Sequence, residues 1–260
     1  MIPFYEFLNI RMYNWGYITA LMIVTLMSIW YRKKYNVAGL QVFFMAIILV
    51  PLIFFSIKII GVFDGYGGFN WVRMVTLLPL LVYLASIAID IPFVKTSDFF
   101  GPHVVLYNAV DHSFCILSGC CYGYPCSFGV WNEMQHDYLF PVQLCESTTS
   151  LLIFLYIIWY AKGKNYKTHG ISYAQFLFLF GLTRTFWEFF RDNTKVLFGK
   201  ISVFQFYSFA AFLVGAIWIS AIFYFQKHPE FVKKHELLFR EDVGELTRIK
   251  MFLRKRKRNG

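Results

Sequence analysis

Acidic residues are scarce in this chain. It has 15 Asp and Glu against 25 Lys and Arg, and charged residues of both signs make up only 15% of its 260 positions. With 58% hydrophobic and 21% aromatic content, that shortage lies outside ordinary globular usage. Internal repeats and low-complexity linkers are missing, so no repeat array or flexible multidomain layout is expected. Cysteine is sparse too. Five in a chain of this length exclude a disulfide scaffold. CxxC pairs and a close His pair are also missing, which weakens a zinc reading. Adjacent Cys120 and Cys121 are poor partners for each other. A bridge from either to Cys126, packing thiols and a metal all remain open readings. Met1 to Tyr13 has no basic stretch followed by a small-residue cleavage site, so the first apolar segment is expected to be retained.

What is present is a series of apolar runs near the ~20 residues that cross a bilayer. The pattern predicts an all-α integral membrane protein of about seven spans. They cover roughly Tyr13–Trp30, Val37–Val62, Trp71–Phe93, Phe99–Cys121, Pro141–Tyr160, Ile171–Phe190 and Val203–Phe225. Pro51 and Pro79 lie inside spans, where neighbouring helices can re-satisfy the backbone. Basic residues set the expected orientation. Arg32, Lys33 and Lys34 follow span one, Lys162, Lys164 and Lys167 follow span five, and the tail after Lys227 is rich in Lys and Arg. Seven spans put all three on one side, which the positive-inside rule makes cytoplasmic, with the N-terminus outside. The net charge of +10 is therefore read as membrane topology, and no nucleic-acid partner is expected. The reading divides the chain into a membrane domain, 1–226, and a basic tail, 227–260. The tail's apolar residues, among them Phe231, Leu246, Ile249 and Phe252, predict a partly amphipathic helix attracted to anionic inner-leaflet lipid.

Polar residues inside apolar spans are functional suspects. Three clusters stand out, all at span ends expected to face outward. The first is the stretch from His112 to Gly123. The second is Gln143 and Glu146, at the start of span five. The third is Arg184, Glu188 and Arg191, spaced i, i+4, i+7 and so expected on one helical face. Gln205 opens span seven at the same level. Arginine suits phosphate because its planar fork donates paired hydrogen bonds. Glu146 and Glu188 can orient the arginines or move protons. His112 suits general base work near neutral pH. The blander alternative is a structural ion pair between Arg184 and Glu188, with His112 bonded to a neighbouring carbonyl. A transporter is disfavoured, because no paired Gly/Pro-broken helices mark inverted repeats.

These clusters resemble the motifs of the prolipoprotein diacylglyceryl transferases of the bacterial inner membrane. Gly119-Cys-Cys-Tyr-Gly123 is similar to the end of that family's central motif. Phe140-Pro-Val-Gln143-Leu-Cys-Glu146 resembles its His-Pro-x-Gln-Leu-Tyr-Glu. Phe180-Gly-Leu-Thr-Arg184-Thr-Phe-Trp-Glu188-Phe-Phe-Arg191 resembles its Tyr-Gly-x-x-Arg-x-x-x-Glu-Phe-x-Arg. Gln205 and Ser208 match a Gln and Ser at the last span, and Tyr66-Gly-Gly68 lies where the family has His-Gly-Gly. The resemblance implies a multi-pass enzyme that moves the diacylglyceryl group of phosphatidylglycerol to the lipobox cysteine of a prolipoprotein signal peptide. It implies no cofactor and no metal. By resemblance Arg184, His112 and Tyr66 are the catalytic candidates, and Glu188, Arg191, Gln143, Glu146, Gly119, Gly123 and Gln205 the substrate-binding ones. The departures are specific. His112 replaces a motif arginine, Cys115 and Ser118 replace asparagines, Cys120 replaces a glutamate, and Phe114 replaces a glycine. Tyr66 and Phe140 replace histidines. Histidine carries arginine's charge only when protonated, and without the fork. An accessory phospholipid-binding protein, or a transferase with another acceptor, is the alternative.

Overall fold

The computed structural model describes residues 6–7, 10–63, 72–132, 135–192, 196–199, 201–234 and 242–259. Two short strands, β1 (Glu6–Phe7) and β2 (Ile10–Arg11), pair ahead of the helices. The long helices are α1 (Met12–Tyr31), α2 (Gly39–Phe63), α3 (Val72–Ala88), α4 (Phe93–Leu117), α5 (Val142–Gly163), α6 (Ile171–Glu188) and α7 (Val203–Lys227). Between α4 and α5 lies the hairpin β3 (Pro125–Asn132) and β4 (Asp137–Leu139). Between α6 and α7 lie β5 (Val196–Phe198) and β6 (Ile201–Ser202). The tail holds α8 (Pro229–Lys234) and α9 (Glu245–Asn259).

Among the described residues, three helices are long and apolar enough to cross a membrane by length and composition: Gly39–Val62 in α2, Val142–Gly163 in α5 and Val203–Lys227 in α7. Pro51, Pro79 and Pro102 sit inside α2, α3 and α4. Many large apolar side chains are exposed, among them Leu26, Trp30, Phe43, Phe55, Trp159 and Ile217. Such a surface suits hydrocarbon rather than water.

The helix ends differ from the spans read off the sequence. Span three was expected to reach Phe93, but α3 stops at Ala88. Asp90 takes a left-handed φ of 49° and Pro92 then caps α4, so Phe93 opens the next helix. Span four was expected to reach Cys121, but α4 stops at Leu117. Gly119 (φ 65°) and Cys121 (φ 60°) turn the chain there, and the hairpin follows.

α6 is the central element. Tyr173, Phe176, Leu177 and Phe180 are at most 2% exposed on it, and its residues join a core with α2, α3, α4, α5 and α7. Gly181 and Gly215 bring α6 and α7 into backbone contact. A Cβ on Gly181 would meet Ser208 O at 2.6 Å, and one on Gly215 would meet Phe178 Cα at 2.8 Å. Close approach over small residues is how helices associate where lipid removes the hydrophobic drive.

Polar bonds sort the described connections into two ends. At one end Lys95 Nζ donates to Asn36 O, joining the α1–α2 connection to α4. Asp98 of α4 accepts from Thr168 Oγ1 (2.6 Å) and from the Gly170 and Ser172 amides (2.6 and 3.0 Å). It thereby caps the N-terminus of α6 from another helix, where orphan amides and the helix dipole favour an anion. The tail docks here too. Glu245 accepts from the Phe93 amide at 2.9 Å, and Asp90 accepts from Thr247 N and Oγ1 at 2.9 and 2.5 Å. Those two bonds hold the Asp90 carboxyl below its ordinary pKa. The other end gathers the hairpin, the start of α5, the end of α6 and the start of α7.

Candidate active site

The chain around Gly123 frames the site. Its amide donates to Phe140 O (2.9 Å), the next amide, Tyr124, donates to Phe190 O (3.1 Å), and Gly123 pairs with Arg191 as an isolated bridge. A Cβ on Gly123 would collide with Phe190 O and lie 2.8 Å from Val142 Cγ2 and 2.9 Å from Phe140 O. Glycine is needed there because three backbones converge. Gln143 Nε2 donates to Cys120 O (2.5 Å), and Asn132 Nδ2 donates to Gly119 O (3.1 Å), so the turn is held from α5 and from the hairpin.

Beside this frame lies a buried ionic cluster. Glu146, one turn into α5, is its hub. Its Oε1 accepts from Arg184 Nη1 at 2.7 Å and Arg191 Nε at 3.3 Å, and its Oε2 meets Arg191 Nη2 at 2.5 Å and His112 Nε2 at 3.0 Å. Glu188 is the second carboxylate. Its Oε2 takes Arg184 Nη1 at 2.5 Å and lies 3.5 Å from Arg191 Nε, and its Oε1 accepts from Ser202 Oγ at 3.0 Å. None of His112, Glu146, Arg184, Glu188 and Arg191 is more than 7% exposed. Two guanidiniums against two carboxylates leave the cluster neutral apart from His112. Buried charge survives only when paired and hydrogen-bonded in this way. Two nitrogens remain in reserve: Arg184 Nε and His112 Nδ1 are buried and have no hydrogen-bond partner among the described residues.

The i, i+4 spacing does put Arg184 and Glu188 on one face of α6. Arg191 lies past the helix end and reaches Glu146 from the following turn, where Phe189 and Phe190 tighten onto the Phe186 and Trp187 carbonyls. Both glutamates are hydrogen-bonded to the arginines, a geometry that the orienting role and the structural ion pair share. Gln205 is occupied otherwise. It forms a capping box with Ser202 at the start of α7, with Gln205 N to Ser202 Oγ at 3.0 Å and Ser202 N to Gln205 Oε1 at 2.9 Å. Tyr66, with Gly67 and Gly68, lies outside the described residues.

Two further buried polar residues were not singled out from sequence. Ser202 is one, although Ser202-x-x-Gln205 is a legible capping-box pattern. Arg73 is the other. It is fully buried at the start of α3, with its guanidinium 5.9 Å from the Phe204 ring centre, a cation–π distance. A charged residue two positions into an apolar helix was the available signal.

The three sulfurs of Cys115, Cys120 and Cys121 also come together, all within 4.8 Å of one another. All five cysteines are free thiols, so the bridge to Cys126 considered from sequence is not formed.

Comparison with known proteins points the same way. A family model described as prolipoprotein diacylglyceryl transferase matches residues 2–221. A phosphatidylglycerol–prolipoprotein diacylglyceryl transferase of Clostridium tetani (strain Massachusetts / E88) is 22% identical over 234 residues, covering 81% of this chain and 93% of the relative. One from Clostridium perfringens (strain 13 / Type A), numbered 2, is 26% identical over 130 residues, 47% of this chain and 50% of its own length. One from Leptospira interrogans serovar Lai (strain 56601) is 29% identical over 149 residues, 50% of this chain and 42% of its own. With a family match over most of its length and the motif residues gathered at one end of its helices, the chain belongs to the prolipoprotein diacylglyceryl transferase family.

Proposed function

We propose that the chain transfers the diacylglyceryl group of phosphatidylglycerol to the lipobox cysteine of prolipoproteins, the reaction its relatives' names describe. The observation that carries this is the buried cluster of Arg184, Arg191, Glu146, Glu188 and His112. It holds two guanidiniums in fixed positions, and Arg184 Nε keeps an unused N–H donor where an anionic head group would enter. The acceptor thiol loses its proton, the sulfur attacks the glycerol carbon that bears the phosphate, and that C–O bond breaks as glycerol phosphate leaves. Arg184 offsets the charge of the leaving group, since preorganised donors are worth most where charge develops. His112, held by Glu146 through Nε2, keeps Nδ1 as the lone pair that takes the thiol proton. Arg191 and Glu188 keep Arg184 in place. The multi-pass reading of the chain belongs with this function, as does the attraction of its basic tail to anionic inner-leaflet lipid.

The test is a transfer assay. Purified protein with phosphatidylglycerol and a lipobox peptide is followed by mass spectrometry of the cysteine. A diacylglyceryl mass is expected, with the rate falling at least ~100-fold in Arg184→Ala, as for removal of one positioned charge-stabilising donor. No mass addition, while phosphatidylglycerol still co-purifies, would overturn the catalytic reading.

A further inference from the structure

The sulfurs of Cys115, Cys120 and Cys121 form a cluster that the transfer chemistry does not use. The sequence spacing does not advertise it, because the first partner is five residues ahead of the second and no CxxC is involved. The turn creates it. α4 ends at Leu117, Gly119 and Cys121 adopt left-handed backbone, and the chain doubles back, so that Cys120 and Cys121 return to Cys115 on the last turn of the helix. The return is fixed from outside as well, by Gln143 Nε2 on Cys120 O and Asn132 Nδ2 on Gly119 O.

We propose that Cys115, Cys120 and Cys121 bind one thiophilic divalent cation, with zinc as its natural occupant. Zinc holds thiolate sulfurs at ~2.3 Å, which places them about 3.8 Å apart in a tetrahedron. Sulfurs already within 4.8 Å of one another need only a small inward shift to reach that spacing. Thiolates select zinc over the hard cations that prefer oxygen. Three thiolates carry a net negative charge that a divalent cation offsets. Three protein sulfurs leave one tetrahedral position for a small ligand such as water. A disulfide within the triad is the competing fate. Cys126 and Cys145 lie outside the triad and serve as internal controls.

The experiment uses the full chain in detergent, purified under reducing conditions without chelator. About one zinc per chain is expected by elemental analysis. Replacement by Co(II) should give the thiolate-to-cobalt charge-transfer absorption and tetrahedral visible bands. Cys120→Ser and Cys121→Ser should lose both signals, and Cys126→Ser and Cys145→Ser should keep them. Zinc added to the wild-type chain should shield three of the five thiols from alkylation, a readout that does not depend on a variant folding. Absence of metal together with absence of the cobalt spectrum overturns the proposal. So does metal retained in the Cys120 and Cys121 variants, or a disulfide within the triad in the isolated protein. None of these outcomes depends on the transfer assay, so the two readings fail separately.

Discussion

At the scale of single residues, Glu146 is the informative position. It touches His112, Arg184 and Arg191, one from α4, one from α6 and one just beyond it. Glu146→Gln removes one charge and leaves two guanidiniums sharing Glu188. Breaking a buried pair from one side costs about 3–5 kcal/mol, because the remaining charge is uncompensated. Thermal unfolding in detergent should show that loss for Glu146→Gln, and the double variant with Arg191→Gln should recover part of it. If the double variant loses the sum of the two singles, the residues are not coupled. Motif spacing made the site members legible: Gln143 and Glu146 are one turn apart in sequence, and so are Arg184 and Glu188. What spacing could not convey is that Glu146 is the hub. That depends on where α5 lies beside α4 and α6. Gln205, likewise visible as a site candidate, closes the α7 cap through local bonds.

At the scale of elements, the site depends on how closely α6 and α7 approach. Glu188 on α6 is held by Ser202 just before α7, and the two helices touch through Gly181 and Gly215. Gly181→Ala inserts a methyl where Ser208 O lies 2.6 Å away and Phe212 Cα 2.8 Å away. The helices must part, with an overpacking cost of about 1–3 kcal/mol. The expected result is a lower unfolding temperature and slower transfer. Gly163→Ala, where no atom lies within 4 Å, should change neither. Equal effects of the two substitutions would sink the packing argument. Hydrophobic runs mark such helices well and their ends poorly. The ends were decided by left-handed turns at Asp90, Gly119 and Cys121, and only glycine among these advertises such a turn.

At the scale of the whole molecule, the described connections fall at two ends. Bonds of Lys95, Asp98 and Glu245 tie the α1–α2, α3–α4 and α5–α6 connections and the tail together, and the hairpin and the α6–α7 connection gather at the other end. The proposed seven-span topology puts the basic connections inside. It predicts that a cysteine at Phe128, in a Cys126→Ser background, reacts with an impermeant maleimide on intact cells. A cysteine at Lys164 should react only after the membrane is opened. The reverse pattern would require the opposite orientation.

The sequence by itself determined the helical, apolar character of the chain, its family motifs and the residues that meet in the ionic cluster. Those follow from composition, from period and from short-range spacing, which are local properties. Only the tertiary structure decided that Glu146 bridges both arginines and His112, that Asp98 of α4 caps α6, and that the tail docks on the α3–α4 turn. It also brought Cys115 to Cys120 and Cys121. Each of these contacts but the last joins separate helices or connections, and the last requires a reversal of the chain. Their partners are set by how the helices pack and turn, which no local pattern encodes.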